Sequence, residues 1–255
     1  MRDSAWICAL LALLASSAAA QPPLAAPLVY LRDIDATIIQ DIRYATDNNF
    51  TGRRVPGYEA AECILIREAA LALAKVQSAL KAQGMSLKVY DCYRPERSVK
   101  AFVAWANAQP ESVGKRFHPN LPRRALLAQA YIAGTSGHSR GVAIDAALVS
   151  LPVPATAPFD HNSSYGACTA AKEERAPDSS IDFGTEFDCF DERSHTNSSS
   201  VTPEQRKARQ MFVDVMARHG FANFRREWWH FTFGGVAGSR SYDVPIRRRE
   251  GEARN

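Results

Sequence analysis

Leu65, Ala69, Leu73, Val76 and Leu80 recur at steps of three or four, one apolar face of a helix, and Gly84 supplies its stop. Leu87 to Tyr90 alternates as a strand does and runs into Asp91-Cys92-Tyr93-Arg94-Pro95. Pro95 suits the first turn of a helix, which Glu96 to Ala106 supports, and a shorter helix is expected over Arg123 to Ala130. Gly141 to Leu148 is apolar but for Asp145 and reads as a buried strand. From Val149 to Ser180 the periodicity gives way to Pro, Ser, Asn and charge, which predicts a long loop pinned by Cys168. Thr202-Pro203-Glu204-Gln205 has the cap, proline and reciprocal glutamine of a helix start; Met211, Phe212, Val215 and Met216 form its inner face, and Gly220 closes it. Ile34 to Ala45 predicts an extended segment before the polar loop 46–52, and Glu227 to Phe233 a final strand or bulged strand. No internal repeat appears. The mixture predicts an α+β fold: a single domain in which helices flank a small, mainly antiparallel sheet around a cleft.

The N-terminus changes the picture of where the protein works. A basic Met1-Arg2, an apolar run from Ala5 to Ala15 and small residues to Ala20 have the layout of a cleavable secretory signal over 1–20. That run is too short to span a bilayer, so no stable membrane insertion is expected. Cys8 lies inside it, too early for a lipoprotein-type cleavage site. Residues 21–28 read as an extended linker, 29–245 as one folded domain, and 246–255, with Arg247-Arg248-Arg249, as a basic flexible tail. The net charge of +4 is otherwise spread out, and no aromatic-interleaved basic stripe suggests nucleic acid. Outside the signal stand Cys63, Cys92, Cys168 and Cys189, an even set that favours disulfides in an exported chain. Of the possible pairings, Cys63–Cys92 and Cys168–Cys189 close two separate loops and are the ones expected; the lack of any Cys-x-x-Cys argues against a thiolate metal site.

Two segments carry the chemistry. His138 and Asp145 flank Gly141, and Glu227 and His230 stand three apart far downstream. Two imidazoles, a carboxylate ligand and a spare carboxylate are the inventory of a catalytic zinc site: three protein ligands, an open position, and a general base. Gly141 and the β-branched Val142 and Ile144 place His138 on a loop entering a strand and Asp145 within it. An Asp among Ala143, Ile144, Ala146, Ala147 and Leu148 is costly to bury unless a cation offsets its charge. Glu227 and His230 would share a helical face but oppose each other in a flat strand, so a bulge or turn at Trp228-Trp229 is expected to turn both to the metal. Glu227 is the candidate base. His118, His161 and His219 read as solvent-facing or packing residues, and the two tryptophans as core and pocket wall.

Ser-x-His-x-x-Gly-x-Ala-x-Asp with Glu-x-Trp-His resembles the D-alanyl-D-alanine metallopeptidases, which share a fold with murein endopeptidases and the hedgehog signalling domain. Further segments are similar to the dipeptidase branch of the VanX/DdpX type: Tyr44-Ala-Thr-Asp-Asn-Asn-Phe-Thr-Gly52, Asp91-Cys-Tyr-Arg-Pro95, Ser136-Gly-His-Ser-Arg-Gly141, Gly184-Thr-Glu-Phe-Asp188, Asp191-Glu-Arg-Ser-His195 and Glu227-Trp-Trp-His230. The resemblance implies one zinc per chain on His138, Asp145 and His230, with Glu227 as base and Arg94 stabilising the oxyanion. It implies that Tyr44, Ser136 and Asp188 hold the dipeptide, Asp188 through the free ammonium. His195 matches a family residue, but its Asp-Glu-Arg-Ser-His setting reads as a structural hydrogen-bonding cluster rather than a fourth ligand. Cys92 stands where some relatives have Gly, and the 149–181 loop is longer than in compact relatives.

The expectation is therefore an exported enzyme of the bacterial periplasm or cell surface that splits D-Ala-D-Ala into two D-alanines, for salvage during wall turnover. A D,D-carboxypeptidase or murein endopeptidase on longer stem peptides is the alternative, and needs no ammonium-binding carboxylate. A non-catalytic wall-peptide-binding zinc protein is the alternative of another class.

Overall fold

A computed structural model describes residues 27–249 apart from 109, 111 and 237–239; the expected signal lies outside the described residues. Its centre is a five-stranded sheet, order β2-β4-β5-β7-β6, built from Ile39–Gln40 (β2), Met85–Asp91 (β4), Ala143–Ser150 (β5), His230–Phe233 (β7) and Phe221–Asn223 (β6). Only β2 runs parallel to its neighbour; every other pairing is antiparallel. A small two-stranded sheet joins Leu28–Tyr30 (β1) to Ile64–Ile66 (β3). The helices are Arg67–Lys81 (α1), Glu96–Asn107 (α2), Ala125–Ala128 (α3) and Pro203–Ala217 (α4). The α+β mixture with a mainly antiparallel sheet matches the sequence reading.

The helical periodicity holds from Ala69 on: Ala69, Leu73, Val76 and Leu80 are buried, and α1 packs on β4 and α4. Leu65, the first member of that stripe, belongs instead to β3, because the chain straightens before Arg67. The α4 cap forms as expected, with Thr202 and Gln205 bonding each other's backbone, and Phe212 meets Phe231 of β7 at 4.6 Å. Arg209 also lies on that inner face, 1% exposed, and donates to the carbonyls of Phe183, Arg193 and His195. It fastens the loop after residue 180 to α4.

Ile34 to Ala45 is less extended than expected: β2 is short, and a 3-10 turn covers Arg43–Ala45. In the polar loop that follows, the buried Asn49 donates to the carbonyls of Arg43, Thr46 and Arg53 and accepts from Thr51. One side chain thereby ties the chain on both sides of the loop, at Arg43 and Arg53, to its middle.

Two expected boundaries move. Leu28, expected to close the linker, is buried in β1 instead. The basic tail is fastened at its start, since Ile246 is fully buried and bridges to Tyr58, while Arg247 and Arg249 pair with Glu59 and Asp33. One apolar residue among the arginines carries enough burial to dock the segment.

Candidate active site

The sheet register builds the site. Asp91 of β4 lies opposite Asp145 of β5, and Asp145 lies opposite His230 of β7. Directly opposed residues share a face, so one rung presents two carboxylates and an imidazole to the same side. Two carboxylates facing each other across a ladder are unfavourable unless cations lie between them. His138 approaches from a 3-10 turn, His138–Arg140, that ends at Gly141. Gly141 adopts φ +70°, and a Cβ there would sit 2.8 Å from Leu28 and 3.2 Å from the Ile66 amide, so the β1/β3 sheet admits only glycine.

The ligand atoms are tightly clustered. His138 Nε2 is 3.1 Å from His230 Nδ1 and 3.3 Å from Asp145 Oδ1, and His230 Nδ1 is 2.9 Å from Asp145 Oδ1. Tetrahedral zinc with ~2.0–2.1 Å bonds needs ligand atoms about 3.3 Å apart, close to this triangle. The His138 Nδ1 proton goes to the Cys92 carbonyl at 2.6 Å, which leaves the Nε2 lone pair for a metal. Among the described residues, this is the one group of His, Cys, Asp and Glu side chains with metal-site spacing. His195 stays out of it, its Nε2 bonded to the Tyr131 hydroxyl at 3.1 Å.

Glu227 and His230 meet because the chain turns twice before β7. The Glu227 amide bonds to Phe224 O at 2.9 Å and the His230 amide to Glu227 O at 3.3 Å. Asn223 clamps the turn, its amide donating to the carbonyls of Glu227 and His230, both at 3.0 Å. Glu227 Oε2 then stands 3.8 Å from His230 Nδ1. Burial pushes its carboxyl up to about 7, with Asp145 adding to the rise and His230 opposing it. A divalent cation beside it favours the carboxylate at neutral pH.

Arg94 is held from several sides. Its Nε and Nη2 reach Asp91 Oδ2 at 2.9 and 2.7 Å, Nη2 lies 3.4 Å from Asp145, and the guanidinium rests over the rings of Tyr44 and Phe102. Ser136 Oγ accepts from the His138 amide at 3.2 Å, so it caps the ligand turn while lining the cleft. At the other end, Tyr44 donates its hydroxyl to Asp188, 2.9 and 3.1 Å from the two carboxylate oxygens. Asp188 is 5% exposed and takes φ +62°, an uncommon conformation for a residue other than glycine. Burial, then Asp145, push its carboxyl well above the ordinary range against the pull of Tyr44 and Arg94, so it lies ready for a cationic partner.

Tyr44, Arg94, Ser136, His138, Asp145, Asp188, Glu227 and His230 all line one cleft of about 220 Å³. Pockets for drug-sized ligands run ~300–1,000 Å³, so this one suits something smaller. Trp229 forms part of its wall, and Trp228 lies behind, stacked on Phe183 at 4.2 Å. The cysteines pair as expected, Cys63–Cys92 and Cys168–Cys189, beside Asp91 and Asp188 respectively. The sequence reading missed Asp91, Tyr58 and Asn223. For Asp91 the signal was present: an acidic residue ending an apolar strand, the argument that singled out Asp145.

The chain matches the model of the peptidase M15 family, described as D-ala-D-ala dipeptidase, over residues 25–161 and 155–247. It is 32% identical over 221 residues to a D-alanyl-D-alanine dipeptidase of Enterococcus faecium, covering 86% of this chain and 97% of that one. To the enzyme of that name from Enterococcus faecalis it is 34% identical, over 75% of this chain and 83% of the other. To the one from Escherichia coli it is 29% identical, over 75% and 76%. The family match divides inside the 149–181 loop.

Proposed function

Because the chain belongs to the M15 peptidase family of D-Ala-D-Ala dipeptidases, we propose that its cleft splits free D-alanyl-D-alanine into two D-alanines. It is a metallopeptidase. His138, Asp145 and His230 hold one zinc ion per chain, as the spacing of their ligand atoms supports. Bound there, zinc would supply Lewis acidity and lower the pKa of water to about 7. Glu227 accepts the proton of the attacking water and returns it to the leaving amine, a two-way transfer for which its largely buried carboxyl is placed, 3.8 Å from His230 Nδ1. Arg94 faces the carbonyl oxygen as negative charge develops on it, fixed in advance by Asp91 and two aromatic rings. Tyr44 and Asp188 receive the substrate ammonium, and Ser136 borders the dipeptide while holding the His138 turn.

The observation that carries this reading is Asp188: a buried carboxylate that lines a small cleft together with the candidate metal triad and is held by the Tyr44 hydroxyl, its carboxyl pushed up by burial and by Asp145. A longer stem peptide brings an acylated nitrogen to that point and leaves the carboxylate unpaired. The mature chain is exported, by a signal at 1–20, to the periplasm or cell surface of a bacterium, where its two disulfides are stable, and it salvages D-alanine released by wall turnover. Its one catalytic domain takes in Leu28 and Ile246 as well as residues 29–245.

The deciding experiment is D-alanine release from D-Ala-D-Ala by the mature protein with zinc, beside N-acetyl-D-Ala-D-Ala. The free dipeptide alone should turn over. Cleavage of the acetylated peptide would instead mark a carboxypeptidase, and binding of wall peptide without release from either would mark a non-catalytic receptor.

A further inference from the structure

We propose that Asp91 is a positioning residue that aims the Arg94 guanidinium into the cleft, an inference that rests on the peptidase reading above. Asp91 is fully buried, with no solvent to stabilise its charge. Its two oxygens divide the work. Oδ2 takes Nε and Nη2 of Arg94 at 2.9 and 2.7 Å, and Oδ1 takes the Tyr58 hydroxyl at 2.6 Å. Tyr58 is in turn backed by the C-terminal segment through its bridge to Ile246. The carboxylate is therefore held from behind and holds the arginine in front. Because both contacts to Asp91 come through Nε and Nη2, Nη1 is the guanidinium nitrogen left to meet a ligand.

A structural ion pair at the start of α2 would explain the contact but not its place. Arg94 lines the cleft, and the Asp91 rung is the metal rung itself. Asp145, a metal-site carboxylate, is also within reach of Nη2, at 3.4 Å. Without the closer acceptor on Asp91, Arg94 is drawn onto Asp145, away from the carbonyl it has to meet and onto an oxygen the metal needs. Asp91 thus sets the guanidinium apart from the metal ligands. Its own contact with the metal side is weaker: Asp91 Oδ2 stands 3.3 Å from His138 Nδ1, whose shorter bond is the 2.6 Å one to the Cys92 carbonyl. The role assigned to Asp91 runs through Arg94, and the His138 orientation survives on the Cys92 carbonyl.

Asp91→Asn keeps the size and the acceptor for Tyr58 but turns an amide toward Arg94. A misplacement of about 1 Å at a reacting group costs on the order of 10²-fold, so kcat on D-Ala-D-Ala should fall by about that, with KM within about threefold. Zinc affinity, read by chelator competition, should stay within about threefold because His138 keeps its Cys92 bond. If Asp91 acts through Arg94, D91N combined with R94A should be no slower than R94A alone. Independent, multiplying losses, or a D91N enzyme as fast as wild type, would overturn the proposal. Should D91N fail to fold, Tyr58→Phe removes one bond to the carboxylate and enters the same cycle: kcat falls severalfold alone and not at all beside R94A. The Nε–H resonance of Arg94 reads the contact without turnover, sharp in wild type and broadened by exchange in the variant. If wild type releases no D-alanine, the functional reading fails, while an unchanged resonance in the variant sinks this one.

Discussion

At the metal end of the cleft, Asp91, Asp145 and His230 occupy one rung of a hydrogen-bonded ladder, and His138 joins from the turn that feeds the middle strand. At the end proposed to receive the ammonium, Tyr44 and Asp188 meet across 144 residues of sequence, the first from a 3-10 turn and the second from a left-handed turn residue, φ +62°. The first end takes its geometry from backbone pairing, which fixes which residues face each other. The second takes it from side chains: Asn49 satisfying the 46–52 loop, Arg209 gripping the carbonyls around Asp188, and the Cys168–Cys189 bridge next to it. On the proposed reading, reaction chemistry falls to the stiff end and substrate choice to the built-up end, a division that loops carried by a rigid scaffold favour.

The largest effect should come from striking the stiff end. Removing the metal with a chelator should abolish release of D-alanine, and zinc should restore it, because the fold around the rung rests on ladder bonds rather than on the ion. Glu227→Gln should retain zinc and lower kcat by roughly 10²–10⁴-fold, the usual worth of a general base. A mild loss would move the proton transfer to another group. At the built-up end, Asp188→Asn keeps the Tyr44 bond but removes the charge that meets an ammonium. A buried charge pair that loses one partner costs about 2–5 kcal/mol, so kcat/KM on the free dipeptide should drop by about 10²-fold or more. N-acetyl-D-Ala-D-Ala should gain on the dipeptide in that variant. An unchanged ratio of the two substrates would remove Asp188 from ammonium recognition.

The disulfides sharpen the contrast, because each flanks one end. Cys63→Ser with Cys92→Ser opens a loop of 29 residues, and Cys168→Ser with Cys189→Ser one of 21. Either pair should cost about 2–5 kcal/mol in urea unfolding. Their activities should diverge. The first pair frees the Cys92 carbonyl that holds His138, so zinc affinity should weaken; the second frees the Asp188 turn, so KM for the dipeptide should rise with zinc affinity unchanged. Matched effects from both pairs would mean that the two ends are not independently supported.

How much of this was legible in the sequence follows the same division. Asp145 announced itself as a carboxylate inside an apolar strand, and the spacing of Glu227 and His230 demanded a turn that the structure supplies. The α1 stripe and the α4 cap were local patterns and could be read directly. Asp91 carried the same signal as Asp145 but stood at a strand end, where a turn explains an Asp as easily. Asn223 and Tyr58 act through side-chain hydrogen bonds whose partners no periodicity reveals. Ile246 was hidden by the arginines beside it. The strand β5 runs on to Ser150, and from there to 180 the composition suggested only a loop, because what orders that stretch is long-range: the Cys168–Cys189 bridge, the Arg116 guanidinium over Phe159 and Tyr165, and the ion pairs of Asp178.

The ionic part of that order gives the smallest expected effect and the last way to test the contrast. Asp178, in the long loop, pairs with Arg43 and with Lys88 of β4, while Asp41 shares both cations. Arg43 precedes Tyr44, so this network ties the long loop to the turn that offers the Tyr44 hydroxyl to Asp188. Burial alone would raise the Asp178 carboxyl, but Arg43 and Lys88 outweigh it and hold it below the ordinary carboxylate range. With a folded pKa below the unfolded value of about 3.9, the native state binds fewer protons near that pH. The stabilisation is therefore complete above about pH 5 and is lost as pH falls below about 4 through the folded value. Asp178→Asn should cost about 1–3 kcal/mol at pH 7, toward the lower side of a broken buried pair because Asp41 still faces the cations and Asp178 is partly exposed. The difference from wild type should shrink steadily below pH 4, as read from urea midpoints. A difference that persists undiminished to pH 2 would mean that the contact stabilises by packing rather than charge. In that case the long loop would be held to the Tyr44 turn by shape, and the two ends would differ less than their contacts suggest.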